Sequence, residues 1–401
     1  MKRPKQRDRV AHLPGCQIGQ QRCILGAISG LRMDHNSTGN VQHGNDLHQK
    51  PGNPGCPVTY SGSILGWDIG GVNTKVTRLR QPALDSGSLC LPYELQRDPS
   101  ALGPTLQLAA RQLGAGSQDL HAVTMTAELS QAFRSKGEGV GFILDALEAT
   151  FPPDRLHVYT VAGKFVSPQD ARRQPLDVAA SNWSATAHWV ATLAPTCVLI
   201  DIGTTTTDII PILDGKVSAE GRTDPERLGT GELVYTGVLR TPVEAVTQQV
   251  PLRGRPTGLA CEAFALMGDV FLWLGSLQSD NYTCPTPDGR PPTRRFAGER
   301  LARAVCADAE MLDDEDIDGI AAALGSAQLR RISGAIRCVR GRYPQIDTAI
   351  VTGLGAFLGL EAGRAAGLAA NLLAEMVDVP PQTAPATAVA WLLHESLAAT
   401  R

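Results

Sequence analysis

One pattern occurs twice and restricts the possible folds more than any other feature of the chain. Ser63-Ile64-Leu65-Gly66-Trp67-Asp68-Ile69-Gly70-Gly71 reads as a short apolar strand running into a glycine turn. Val72 to Arg80 then alternates with the period of a second strand, so the unit is a β-hairpin. Cys197-Val198-Leu199-Ile200-Asp201-Ile202-Gly203, the turn Thr204-Thr205-Thr206-Thr207 and Asp208-Ile209-Ile210-Pro211-Ile212 repeat the device, with Asp201 standing 133 residues after Asp68. Internal duplication of one α/β unit explains two such hairpins more simply than coincidence does. A third glycine junction lies near the C-terminus, where the buried-strand pattern Thr348–Thr352 meets Gly353-Leu354-Gly355-Ala356-Phe357 and a helical run.

Between these landmarks the periodicity predicts helices near 101–113, 138–150, 178–193, 258–277 and 314–341, and a strand at 120–126. A polar loop runs from Ser279 to Arg295, and a closing helix spans Ala386 to Leu397, with Pro385 just ahead of it as a start signal. Asp313-Asp314-Glu315-Asp316 reads as an acidic helix start that complements the helix dipole. Asp269 lies seven residues after Glu262 within the predicted helix 258–277, which puts both carboxylates on one face.

Composition enters through its unevenness. Residues 1–62 hold 8 Lys or Arg against 3 Asp or Glu, although the whole chain of 401 residues has a net charge of −3. This segment shows no sustained period and reads as a disordered leader, with Met33 as a candidate internal start. The small net charge makes no case for a nucleic-acid partner, and no stretch is apolar enough to predict a membrane span. Nine scattered cysteines and the lack of a signal-peptide core point to a reducing cytoplasm.

Glycine turns let the backbone approach an anion, because no Cβ blocks it and successive N–H groups can converge. An Asp just before such a turn can hold a hydrated divalent cation that bridges phosphate oxygens. The expected phosphate site is therefore Gly70, Gly71, Asn73, Thr74 and Lys75 on one side and Gly203, Thr204, Thr205 and Thr206 on the other, with Asp68 and Asp201 as Mg²⁺ ligands. Arg240 could clamp a diphosphate or pair with a structural carboxylate.

The triple pattern resembles the actin/sugar-kinase/Hsp70 superfamily. Its wording at Trp67–Lys75 and Asp201–Asp208 is similar to that of the hydantoinase A/oxoprolinase relatives. That resemblance implies an α/β fold of two ribonuclease-H-like lobes around a central cleft, with lobes at 63–195 and 196–382 and a helix at 383–401 packing back on the body. Met125–Leu129, Lys136–Val140, Ser181–Trp183, Gly231–Pro242 and Pro287–Arg290 resemble one branch of these relatives, linked to tetrahydromethanopterin-dependent one-carbon transfer. Ala127 departs from the glycine expected in that branch.

The resemblance implies a cytoplasmic transferase whose small-molecule partners are an aminomethylfuran diphosphate and a tyramine-derived phenol. It forms an aryl ether and releases diphosphate, a step towards a methanofuran-like carrier. Asp68 and Asp201 would serve catalysis, and Glu128 or Glu232 could take the phenol proton. Asn182, Asp288, Arg290, Gly353 and Gly355 would bind substrate or nucleoside. Two alternatives stay open: an ATP-dependent kinase or amide-ring hydrolase with adenosine at Gly353–Gly355, and a nucleotide-sensing subunit without turnover. The oligomeric state is not legible in the sequence.

Overall fold

The computed structural model describes residues 62–80 and 85–399. The leader read over 1–62 therefore lies outside the described residues, Gly62 excepted.

Two sheets carry the architecture. The first contains β1 (Ile64–Ile69), β2 (Asn73–Arg80), β3 (Asp85–Pro92), β4 (Leu120–Met125), β5 (Leu156–Tyr159) and β6 (Phe165–Val166), in the order β3-β2-β1-β4-β5-β6. The second contains β7 (Cys197–Ile202), β8 (Thr207–Leu213), β9 (Lys216–Val217) and β10 (Leu233–Val234). A separate small hairpin, β11 (Gln249–Leu252) with β12 (Arg255–Gly258), precedes β13 (Thr348–Thr352) and β14 (Ala369–Leu372) of that second sheet. The second order is β10-β8-β7-β13-β14, with β9 also on β8.

The shared logic is visible in the pairing. β1 pairs antiparallel with β2 and parallel with β4, just as β7 pairs antiparallel with β8 and parallel with β13. The fold is thus α/β with two ribonuclease-H-like lobes, the actin-like ATPase architecture. The central strands β1, β4 and β7 are buried along their whole length, which explains their near-continuous apolar runs.

Three cores hold this frame. Helices Leu102–Gln112 and Lys136–Glu148 cover one face of the first sheet. Helices Met267–Trp273, Asp314–Arg342 and Ala356–Ala365 cover one face of the second. The third core lies between the sheets, where helices Asn182–Leu193 and Ala384–Ala399 pack with Ile64, Leu120 and Ala122 on one side and with Leu199, Ile210 and Ile350 on the other. Because both sheets share these two helices, the cleft at the strand ends has a common floor. Among the described residues no helix is long and apolar enough to cross a membrane.

Several helices differ from their expected bounds. The predicted helix 258–277 is only Met267–Trp273. Residues before it bond sideways to the 241–246 segment, Val243 N donating to Ala265 O and Ala263 N to Glu244 Oε1, and Ala263 is left-handed at φ 51°. Glu262 therefore lies outside the helix, exposed, while Asp269 is buried in its first turn, so the two share no helical face. The helix expected from 178 starts at Asn182 instead, because Ala180 adopts φ 52°. Asp313 caps the helix Asp314–Arg342 in a reciprocal pair with Asp316, as the acidic run suggested. Pro385 sits inside the first turn of the closing helix, where a missing N–H costs nothing.

Candidate active site

Both hairpin turns open into one cavity of about 1330 Å³, lined by residues of both lobes. Each turn is closed by the same backbone bond, Gly70 N to Asn73 O at 3.0 Å and Gly203 N to Thr206 O at 2.9 Å. Gly70, Gly71, Asn73 and Lys75 line the cavity from the first lobe, and Gly203, Thr204, Thr205 and Thr206 face them from the second. The Thr204 carbonyl accepts from Arg240 N at 2.9 Å, which brings Arg240 to the same wall. Asn73 Nδ2 reaches across to Thr283 Oγ1 at 3.3 Å, so a loop of the second lobe touches the first hairpin.

The carboxylates before the turns lie in different electrostatic settings. Asp68 is fully buried and accepts from Lys75 Nζ at 2.7 Å, while its Oδ1 has no hydrogen-bond partner. Burial disfavours the Lys75 charge, but Asp68 outweighs it and holds the ammonium above the usual lysine range. Asp201 stands opposite Asp208 in the β7–β8 register. Burial, and then Asp208 beside it, push Asp201 up to about 7, against a smaller opposing pull from Lys75. Burial raises Asp208 as well, and its ion pair with the buried Arg227 works against that rise.

Glu128 sits in a short 3₁₀ turn just past β4. Its side chain is 1% exposed and neither carboxylate oxygen has a hydrogen-bond partner. Burial pushes it up to about 7, although Lys136, 3.6 Å away, opposes the shift. The carboxylate is poised to take a proton near neutrality, and it lines the same cavity.

Asn182 and Gly353 also line this space. Gly353 has φ 89°, and a Cβ there would collide with Asp201 Oδ1 and the Ile202 carbonyl, so a glycine is required. Gly355 is one step removed from the wall and donates its N–H to Ile202 O at 2.9 Å.

Six expected site residues do not line the cavity: Gly355, Asp68, which is buried on β1 behind Lys75, and Thr74, Glu232, Asp288 and Arg290. Thr74 follows strand alternation to the face opposite Asn73 and Lys75 and is fully buried. Glu232 is fully buried in a structural junction, where its carboxylate accepts from Glu220 N and Gly221 N at 2.9 Å, Thr230 Oγ1 at 3.0 Å and Arg342 Nη2 at 3.1 Å. Asp288 accepts from Arg300 Nη1 at 3.1 Å, and Arg290 pairs with Glu299. Both brace the loop that carries Thr283, together with the buried Asp269, which accepts from Arg300 and from Tyr282 Oη at 3.2 Å.

The cavity also contains groups that pattern reading passed over. Asp208, Lys136, Asp224 and Arg227 all line it. Asp208 and Lys136 stand in the quoted motifs, but only strand register and lobe packing show that their side chains meet the site.

A model of the hydantoinase/oxoprolinase family matches residues 119–396. The chain belongs to the hydantoinase/oxoprolinase family. It is 38% identical over 293 residues to the (4-{4-[2-(gamma-L-glutamylamino)ethyl]phenoxymethyl}furan-2-yl)methanamine synthase of Methanocaldococcus jannaschii, covering 73% of this chain and 86% of that protein. The synthase of the same name from Methanococcus vannielii is 36% identical over 159 residues, 40% of this chain and 71% of that one. Among solved structures, nucleotide-free acetone carboxylase superposes with a TM-score of 0.53 at 11% identity, over 82% of this chain and 70% of the other, and shares the fold. This hydantoinase/oxoprolinase family member is an enzyme, as its relatives named synthases are.

The family member offers oxygen ligands suited to a hard cation. Among the described residues no three His, Cys, Asp or Glu side chains converge as a ready metal cage. Mg²⁺ needs none, since it keeps several waters and takes one or two carboxylates plus phosphate oxygens. The unpartnered Asp68 Oδ1 and the acidic pair Asp201 and Asp208 fit that demand.

Proposed function

We propose that the enzyme joins the phenol oxygen of a tyramine derivative to the exocyclic carbon of an aminomethylfuran diphosphate, as a transferase in the biosynthesis of a methanofuran-like carrier. The relatives' names describe a product with a phenoxymethyl–furan link, which is the bond such a step makes. The observation that carries the reading is Glu128, a buried carboxylate without a hydrogen-bond partner and pushed to about 7, in one cavity with two glycine turns suited to an anion.

In this reading Glu128 accepts the phenol proton as the oxygen attacks the CH₂ carbon. The C–O bond to diphosphate breaks and its electron pair leaves with the diphosphate. The N–H group of Gly71, the hydroxyls of Thr204, Thr205 and Thr206, Lys75 and Arg240 hold the departing anion, while Gly70 and Gly203 spend their N–H groups on closing the turns. Asp68 and Asp201 would hold Mg²⁺, which when bound neutralises charge on the leaving group. Residues 63–195 and 196–382 act as the two jaws, with Asn182 and the Gly353–Gly355 turn at the substrate end.

The test is turnover of the purified protein with both organic substrates, following diphosphate and the ether product. Diphosphate release that needs both substrates is expected, together with a loss of about 10²–10⁴-fold in Glu128→Gln. Hydrolysis of ATP without ether formation would overturn the reading in favour of a kinase or hydantoinase-type hydrolase.

A further inference from the structure

The proposed base is not surrounded by apolar groups alone. Lys136 Nζ lies 3.6 Å from Glu128 Oε1, too far for a hydrogen bond but within ion-pair reach, and 2.6 Å from Asp224 Oδ2. Glu128 and Lys136 belong to the first lobe, whereas Asp224 begins the helix Asp224–Thr230 of the second. Asp224 is in turn 3.8 Å from Arg227 Nη1, and Arg227 pairs with Asp208 on the second hairpin. A single line of alternating charge thus runs from the proposed base, across the cleft, to the second anion-binding turn.

We infer that Lys136 is a positioning residue shared between the lobes, its ammonium divided between Glu128 and Asp224 so that the two lobes together set the charge of the Glu128 carboxylate. The inference rests on Glu128 serving as the base.

Three features favour it over an ordinary surface pair. Lys136 opens the helix Lys136–Glu148, where the helix dipole disfavours a cation, so it gains nothing from stabilising its own helix. That helix is pressed against the Glu128 turn: a Cβ at Gly139 would collide with the Glu128 carbonyl. The distance between Lys136 and Glu128 is therefore set by backbone packing and not by a flexible side chain alone. The Lys136 side chain is 21% exposed and that of Asp224 17%, so the pair is partly shielded from solvent, and water screens it less than it would an exposed pair. The charged groups facing Glu128 are Lys136 from its own lobe and Asp224 from the other, with Arg227 and Asp208 behind Asp224.

The two partners then have opposite effects. Without Lys136 the buried carboxylate loses its cation and holds its proton to higher pH. Without the Asp224 charge, Lys136 is released towards Glu128, a negative neighbour disappears, and the proton leaves at lower pH.

The experiment titrates Glu128 in the free full-length protein by infrared difference spectroscopy, with the carboxyl band assigned by its loss in Glu128→Gln. The wild-type midpoint is expected at about 7. Lys136→Met should move it up and Asp224→Asn down, each by about one pH unit, while Lys136→Arg should restore it towards the wild-type value. Shifts in the same direction, or none beyond a few tenths of a unit, would overturn the inference. Circular dichroism controls for folding, and Asp224→Asn tests the claim even if Lys136→Met is unstable. The readout needs no substrate, so opposite shifts in a protein that makes no ether would uphold the charge sharing and reject the proposed reaction.

Discussion

The two hairpins share one backbone plan and differ in charge. Opposite Asp68 stands Lys75, and opposite Asp201 stands another carboxylate, Asp208. The parallel neighbour supplies a threonine in both lobes, Thr124 beside Asp68 and Thr352 beside Asp201. Just beyond those threonines the lobes diverge again, with Glu128 after β4 and the Gly353 turn after β13. The first lobe therefore neutralises its aspartate locally and carries the candidate base. The second keeps surplus negative charge and the closest backbone approach. The two hairpins share one turn geometry, and their side-chain charges differ; in the proposed reaction that difference divides the roles.

Neutralising each hairpin aspartate tests this division most severely. Asp201→Asn should reduce turnover by about 1000-fold and Asp68→Asn by about 100-fold, because the second lobe has the surplus charge for a cation. The double variant should lose much less than the product of the two, as residues acting on one leaving group are not additive. A near-wild-type Asp201→Asn would break the comparison.

Stability should show the same asymmetry. Asp208→Asn removes the close carboxylate partner of the buried Arg227, leaves it the longer 3.8 Å contact to Asp224, and is expected to cost about 3 kcal/mol in denaturant unfolding. Asp68→Asn leaves Lys75, whose side chain is 23% exposed and can turn to water, so about 1 kcal/mol is expected. Equal losses would show that both hairpins bury their cations alike.

Glu128 adds a pH signature that the second lobe lacks at the matching position. Its folded pKa of about 7 lies above the ordinary 4.5, so the folded state holds the proton more tightly than the unfolded chain between those values. Stability should fall as pH rises through that window, by at most about 3 kcal/mol from this group. Melting temperature against pH in metal-free buffer should accordingly become shallower in Glu128→Gln, the remaining slope coming from Asp201, which also lies at about 7, and an unchanged slope would refute the assignment. The smallest effect is expected where the lobes touch through Asn73 and Thr283: Asn73→Ala should weaken substrate binding by about 1 kcal/mol, read as a several-fold rise in KM.

Much of the frame was legible because it depends on local chemistry. The hairpins, the buried strand before Gly353 and the acidic cap at Asp313 follow from strand period, glycine turns and helix-end rules. The strand β3 and the helix Arg294–Ala304 were not read, since neither has a sustained apolar period: β3 runs Asp-Ser-Gly-Ser-Leu-Cys-Leu-Pro, and the helix is rich in arginine. The predicted helix 258–277 failed for a different reason. Of residues 258–266 only Ala265 is buried, and groups a helix would pair internally bond to the 241–246 segment instead, Ala265 O accepting from Val243 N and Ala263 N donating to the Glu244 carboxylate.

Sequence alone determined the repeated Asp-x-Gly hairpins, the family they belong to, and hence the two-lobed fold, because each of these is written in neighbouring residues. It placed Asp68, Asp201, Lys75 and Glu128 among the candidates for the same reason. Tertiary structure decided which polar residues are free to act. Glu232 and Glu128 are both buried glutamates in family motifs, yet one is saturated by backbone N–H groups and Arg342 while the other has no hydrogen-bond partner. The burial that brings Glu128 and Asp201 to about 7 comes from the folded chain, and the charges around them join near neighbours in sequence, Lys136 and Asp208, to distant ones, Asp224 for Glu128 and Lys75 and Asp68 for Asp201. Desolvation and charge act through space, and only the folded chain sets those distances.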